Sequence, residues 1–235
     1  MLNTASGIRV ICSMATRHIL AELGSAWEAD SGAAFRLEAV GGVDAARRVA
    51  AGEVFDAVVL ASDALEALAA QGHVRQDSLA PLACSGVAVA VPAGHPHPDI
   101  SNEDRLKAAV VRARTIGHST GPSGTQLLRL FAQWGVFDEI RTRIVQAPPG
   151  VPVARLIAQG DVELGFQQLS ELLGAPGIEI VGPLPDPVQV MTVFSGAICR
   201  SASSPDVARA WLDFTASEAA DDVKRRHGMA PAGRP

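Results

Sequence analysis

Apolar and polar positions alternate between two rhythms along this chain. Strand-like segments, the most apolar of them reading as strands covered on both faces, occur at residues 8–12 (IRVIC), 35–40, 57–61, 86–91 (GVAVAV), 115–118, 143–146, 163–167 and 178–181, with a longer run at 188–199. Between them, apolar residues recur at helical spacing. Ile19, Leu20, Leu23 and Trp27 define a helix over about 15–28, and Leu127, Leu128, Leu130, Phe131 and Trp134 define another after Pro122. Further helices are predicted over 42–51, from Asp63 to near Gly72, after Ser101, over 151–158 and 170–173, and as a C-terminal pair split near Ser217. Asp63 with Glu66 reads as a capping box, as does Ser101 with Asp104.

Strands alternating with helices of this length imply right-handed βαβ units and mostly parallel sheets covered on both faces. The strands are too many for one tidy sheet. The fold expected is therefore α/β in two lobes, residues 1–83 with 190–235 forming one and 84–189 the other. Proteins of this architecture bind ligands beyond the carboxyl ends of their strands, against helix N-termini whose free N–H groups favour anions. Four such junctions are built from small residues: Ser13-Met14-Ala15-Thr16 with Arg17, Gly41-Gly42-Val43, residues 119–124 including Ser119 and Ser123, and Pro148-Pro149-Gly150-Val151. Gly121 suits the cap of the third and Pro122 its first helical position. His118 ends a strand beside the hydroxyl cluster and is the candidate acid/base.

Composition narrows the chemistry. A net charge of −5, no tyrosine and 4% aromatic residues argue against a nucleic-acid partner. No apolar run approaches the roughly 20 residues needed to span a bilayer. Cys12, Cys84 and Cys199 read as buried free thiols. The start of the chain lacks the features of a signal peptide, so the location expected is cytoplasmic, or periplasmic if a signal has been removed. No phosphate-binding loop with its lysine, no dinucleotide fingerprint and no zinc spacing occurs, so neither cofactor nor metal is expected. His95 and His97 belong to a Pro-rich surface loop, and Lys224-Arg225-Arg226 to a solvated helix end.

The segments IRVICSMATRHILAEL, RRVAAGEVFDAVVLASDALEAL, GPSGTQLLRLFAQWG and LGFQQLSEL, in that order, resemble the bacterial molybdate-binding proteins of the type II periplasmic class. The resemblance covers nearly the whole chain. It implies two lobes joined by two crossover strands, closing on an oxyanion held by neutral donors, and an ABC permease as partner. It places a ligand-binding hydroxyl at or beside Ala15, with Ser13 and Thr16 near, and a family serine at Gly41 or Gly42. Backbone donors fall near Ser123 and Gly150, and the family's ligand-contacting tyrosine falls at Gln168. The replaced side chains, together with Arg17, His118, Ser119 and Gln168, point to a larger or carboxylate-bearing anion. Some proteins similar to this group act as aconitate isomerases, which gives an alternative function on the same scaffold, with His118 as base.

Overall fold

The computed structural model describes residues 7–233. Its strands are β1 (Ile8–Ser13), β2 (Phe35–Val40), β3 (Ala57–Ala61), β4 (Ala80–Pro92), β5 (Ile116–His118), β6 (Ile144–Gln146), β7 (Leu164–Gln168), β8 (Ile178–Pro183), β9 (Met191–Ile198) and β10 (Ala230–Pro231). Its helices are α1 (Arg17–Ser31), α2 (Gly42–Ala50), α3 (Ser62–Ala70), α4 (Glu103–Arg112), α5 (Pro122–Gln133), α6 (Phe137–Ile140), α7 (Val153–Ala158), α8 (Leu169–Leu172), α9 (Pro205–Ala216) and α10 (Asp221–Arg226). The chain divides into two compact units, Met1–Cys84 with Val193–Pro235, and Ser85–Thr192.

In the first unit β1 lies between β2 and β3, parallel to both, and β9 runs antiparallel to β3. Successive residues of β1 and β3 go to opposite faces, and both faces are covered. Val10, Cys12, Ala57 and Val59 pack with Ile19, Leu20, Trp27, Trp211 and Leu212 of α1 and α9. Ile11, Val58 and Leu60 pack with Ala45, Val49, Leu65 and Leu68 of α2 and α3. This double covering is why these strands read as apolar runs. Burial pushes the thiols of Cys12 and Cys199 up to about 12, so both stay protonated.

Asp56 locks this unit together. It is buried, its Oδ2 accepts the Arg9 N–H at 2.8 Å, and its Oδ1 accepts the Ser203 and Ser204 N–H groups at 2.8 Å each. One carboxylate thus joins β1 to the start of α9. Nearby, the guanidinium of Arg9 sits 4.3 Å from the Phe55 ring centre and bonds Glu38 and Glu53 at 3.0 Å.

In the second unit the order is β8-β4-β7-β5-β6. β5 is parallel to β6 and β7, whereas β4 runs antiparallel to both β7 and β8. Val87, Val89, Ile116, Leu164 and Phe166 face Leu106, Val110, Leu127 and Phe131 of α4 and α5. Ala88 and Ala90 face Val153, Ala154 and Ile157 of α7 on the other side.

Several local expectations are corrected. α3 starts directly from β3 with Ala61 at its cap position, so Asp63 lies inside the helix and bonds Ala64 N–H at 2.8 Å; no capping box forms. α4 is capped by Asn102, whose Oδ1 accepts the Arg105 N–H at 3.0 Å, and not by Ser101. α7 begins at Val153, because Pro152 holds the preceding backbone extended. Lys224 is not solvated: it is 1% exposed and bonds Asp221 at 3.3 Å. Cys84 is half-buried where full burial was expected.

Candidate functional site

β5, β6 and β7 are parallel, so their carboxyl ends lie along one edge of the second unit, at His118, Gln146 and Gln168. The register pairs Ile116 with Leu164 and Gly117 with Gly165, which sets His118 opposite Phe166. Gln168 follows Phe166 by two residues and therefore projects from the same face. Val87 pairs with Gln168, so Ser85, two residues before Val87 on β4, belongs to that face too. The face is otherwise the apolar one against α4 and α5. Its end thus carries three polar side chains, and all three are buried: His118 at 3% exposure, Gln168 at 3% and Ser85 at 1%.

The partners of these groups decide what they can do. His118 Nδ1 is 2.9 Å from the Ser119 carbonyl oxygen. A carbonyl only accepts, so Nδ1 carries the proton and Nε2 the lone pair. Burial lowers the pKa of His118 below its ordinary 6.5, with the Ser119 bond opposing, and the imidazole is neutral at neutral pH. Gln168 Nε2 donates to Thr192 Oγ1 at 2.7 Å, while Gln168 Oε1 is buried without a partner. Ser85 Oγ is likewise buried without a partner. Buried polar atoms are paired in the great majority of cases, and two of the orphans among the described residues stand together at this sheet end.

α5 starts at this edge. No side chain caps it, its cap residue is Gly121, and Pro122 brings no N–H. Gly124 and Thr125 donate to the Gly121 carbonyl, which leaves the Ser123 N–H as the free donor of the first turn. Gly124 packs so closely that a Cβ there would stand 2.0 Å from the Ser119 carbonyl oxygen and 2.8 Å from His118 Nδ1. Absence of a side chain at 124 lets α5 press on the segment that holds the histidine.

The loop after β6 differs. Gly150 takes a left-handed φ of 78°, and the Val151 N–H donates to the Pro148 carbonyl at 3.0 Å. The Ala154 N–H at the start of α7 donates to Gln167 Oε1 at 3.2 Å. At this helix end the Val151 and Ala154 N–H groups are thus engaged within the chain.

In the first unit the carboxyl ends of β1, β2 and β3 also align. Gly42 lies against Ser13, a Cβ at 42 falling 3.7 Å from that of Ser13. Thr16 is fully buried and its hydroxyl donates to the Ser13 carbonyl at 3.2 Å, closing the turn formed by Met14, Ala15 and Thr16. Ser13 Oγ lies 3.5 Å from Thr16 Oγ1. Arg17 turns to its own neighbours, with Nε on His18 Nε2 at 2.9 Å and a guanidinium nitrogen 3.9 Å from Met14 Sδ. Val43 is exposed and Gly41 caps α2 with backbone alone. Ser62, at the start of α3, bonds Ser195 Oγ at 2.7 Å and the Val193 carbonyl. Ser62, Ser195, Ser85 and Thr192 were not evident from sequence. Ser62 has the same signal as the other junctions, a small hydroxyl residue directly after a parallel strand.

Among the described residues no group of three or more histidine, cysteine or acidic residues could hold a metal ion, and no helix is long and apolar enough to cross a membrane. His97 is engaged with Glu179 at 2.7 Å.

Two α/β units with polar groups gathered at the carboxyl ends of parallel strands define a solute-binding-protein fold. Residues 8–230 match the bacterial extracellular solute-binding proteins, and the chain belongs to that family. The fold is shared with the periplasmic molybdate-binding protein of Azotobacter vinelandii (TM-score 0.80, 18% identity, covering 96% of this chain and 100% of that one). It is shared too with the sulfate-binding protein SubI of Mycobacterium tuberculosis (TM-score 0.79, 18% identity, 97% and 87% coverage). In sequence the chain is 39% identical over 184 residues to the aconitate isomerase of a Pseudomonas species, covering 78% of this chain and 70% of that protein.

Proposed function

We propose that this protein binds one small anion, an oxyanion or a compact carboxylate, through neutral donors, and delivers it to an ABC permease. The observation that carries the proposal is the end of the second unit's sheet: an open α5 N-terminus beside buried polar groups that lack partners. The side chains described at this edge, Ser85, His118, Ser119, Ser123 and Gln168, include no lysine or arginine. A helix end and hydroxyls suit an anion whose charge is met by dipoles rather than by an ion pair. Family membership supports this role and a periplasmic location, and solved neighbours that bind molybdate and sulfate support an oxyanion.

A second reading, an isomerase of a compact unsaturated polycarboxylate, has a specific observation behind it. His118 is neutral and holds its lone pair on Nε2, and the 39% identical relative is an aconitate isomerase. Such a base would take a proton from the methylene carbon beside one carboxylate. It would return that proton to the far carbon of the double bond, moving the bond with no net redox change.

A melting panel with molybdate, tungstate, sulfate, phosphate, citrate, cis-aconitate and trans-aconitate tests both readings, each incubation being followed by proton NMR in D2O. A true ligand at about one hundred times its Kd stabilises by roughly 2.7 kcal/mol, or about 5–10 °C here. If no anion raises the melting point, the proposal fails. Interconversion of the aconitates that is lost in His118→Gln, with binding retained, establishes catalysis. Binding without conversion establishes delivery alone.

A further inference from the structure

The two orphaned atoms at this sheet end are not interchangeable. Gln168 Oε1 is an acceptor only, since the amide donates elsewhere, through Nε2 to Thr192 Oγ1 at 2.7 Å. Thr192 is itself buried at 8% exposure and is the second residue of β9, so a strand rather than a loop holds the amide. Ser85 Oγ, on the same face one pleat beyond the end of β7, can donate and accept. A fully deprotonated oxyanion offers only acceptor lone pairs. Set against Gln168 Oε1, it would leave the carbonyl unpaired and bring two negative ends together. A ligand oxygen that carries a hydrogen satisfies both atoms at once, donating to Gln168 Oε1 and accepting from Ser85 Oγ–H.

We propose that Gln168, held by Thr192 and assisted by Ser85, is the specificity-determining residue of the site and selects anions that bring their own hydrogen-bond donor, a hydroxyl or a protonated oxygen. This rests on the reading of this edge as the anion site. It changes the expected ligand class: hydrogen phosphate and hydroxycarboxylates fit, and sulfate, molybdate and tungstate do not. The neutral amide is well suited to such discrimination, because a site built to pair a ligand hydroxyl rejects the analogue that lacks it.

The experiment uses two matched pairs measured by calorimetry at neutral pH: hydrogen phosphate against sulfate, and citrate against tricarballylate, which differs from citrate only by the hydroxyl. In whichever pair binds, the donor-bearing member is expected to bind about tenfold or more tightly. Gln168→Met should erase that preference by weakening the donor-bearing member alone. Gln168→Glu, which still accepts, should keep the preference. Ser85→Ala, a smaller change, should reduce the preference without removing it, and supplies the answer if a position-168 variant fails to fold. Equal affinity within a pair overturns the proposal. So does a collapse of all anion binding in Gln168→Glu, which would place the amide N–H on the ligand. Binding of molybdate or tungstate with neither pair bound overturns it as well. If no anion of any kind binds, the anion reading itself has failed, a result separable from the others.

Discussion

Replacing Gly124 by alanine is expected to abolish anion binding and to lower the melting temperature, although the residue lies in a helix. Helix propensity predicts the opposite, a gain of up to about 1 kcal/mol for alanine over glycine. The close contact decides the sign. The new Cβ would stand 2.0 Å from the Ser119 carbonyl oxygen and 2.8 Å from His118 Nδ1. Those atoms are backbone and a buried ring, which cannot swing aside as the tip of a flexible chain would. Overpacking of this kind costs roughly 1–3 kcal/mol. Relief requires α5 to lift or residues 118–119 to move, and either motion displaces the Ser123 N–H or breaks the bond that fixes the His118 tautomer. A thermal melt of the variant with and without the stabilising anion reads both effects. Unchanged stability with unchanged affinity would show that α5 does not press on this segment.

The second large effect belongs to Asp56 and is purely structural. Asp56→Ala removes the acceptor of three backbone N–H groups, those of Arg9, Ser203 and Ser204, each bonded at 2.8 Å to a carboxylate only 5% exposed. The bonds are part-buried, so each donor left alone costs up to about 1–3 kcal/mol. Water entering the gap offsets part of this, so roughly 3–5 kcal/mol of unfolding free energy should be lost, measurable as a shift in the urea midpoint. Asp56→Asn keeps one accepting oxygen and should lose less. Because Asp56 is outside the second unit, the folded variant should keep its anion affinity. A fall in affinity without a fall in stability would contradict this assignment.

What the sequence made legible follows from the same physics. Doubly covered strands read as apolar runs, so β1, β3 and the core of β4 are visible at 8–12, 57–61 and 86–91. Pro122 behind Gly121 announces the start of α5. Caps were less legible: Asp63 with Glu66 fits the capping pattern, yet the cap position falls two residues earlier, at Ala61, because β3 runs into the helix without a linker. The buried Lys224 was hidden because charge alone argues for solvent. At the site, the small residues of each junction were visible, but which helix ends stay open was not. That depends on long-range partners such as Gln167, which accepts the Ala154 N–H at the start of α7, and Thr192, which holds Gln168 from 24 positions away. The register that assembles Ser85, His118 and Gln168 on one face, parallel between β5 and β7 and antiparallel between β7 and β4, is a property of three strands together and cannot be read from any one of them.

The most direct test is a titration of isotope-labelled protein with whichever anion stabilises it, following backbone and side-chain amide resonances. The signals of Ser119, Ser123 and the Gln168 side chain should move together along one binding curve, while those of Val151 and Ala154, already bonded within the chain, should stay close to their starting positions. Shifts centred on Val151 and Ala154, with residues 118–123 and Gln168 unmoved, would contradict the account.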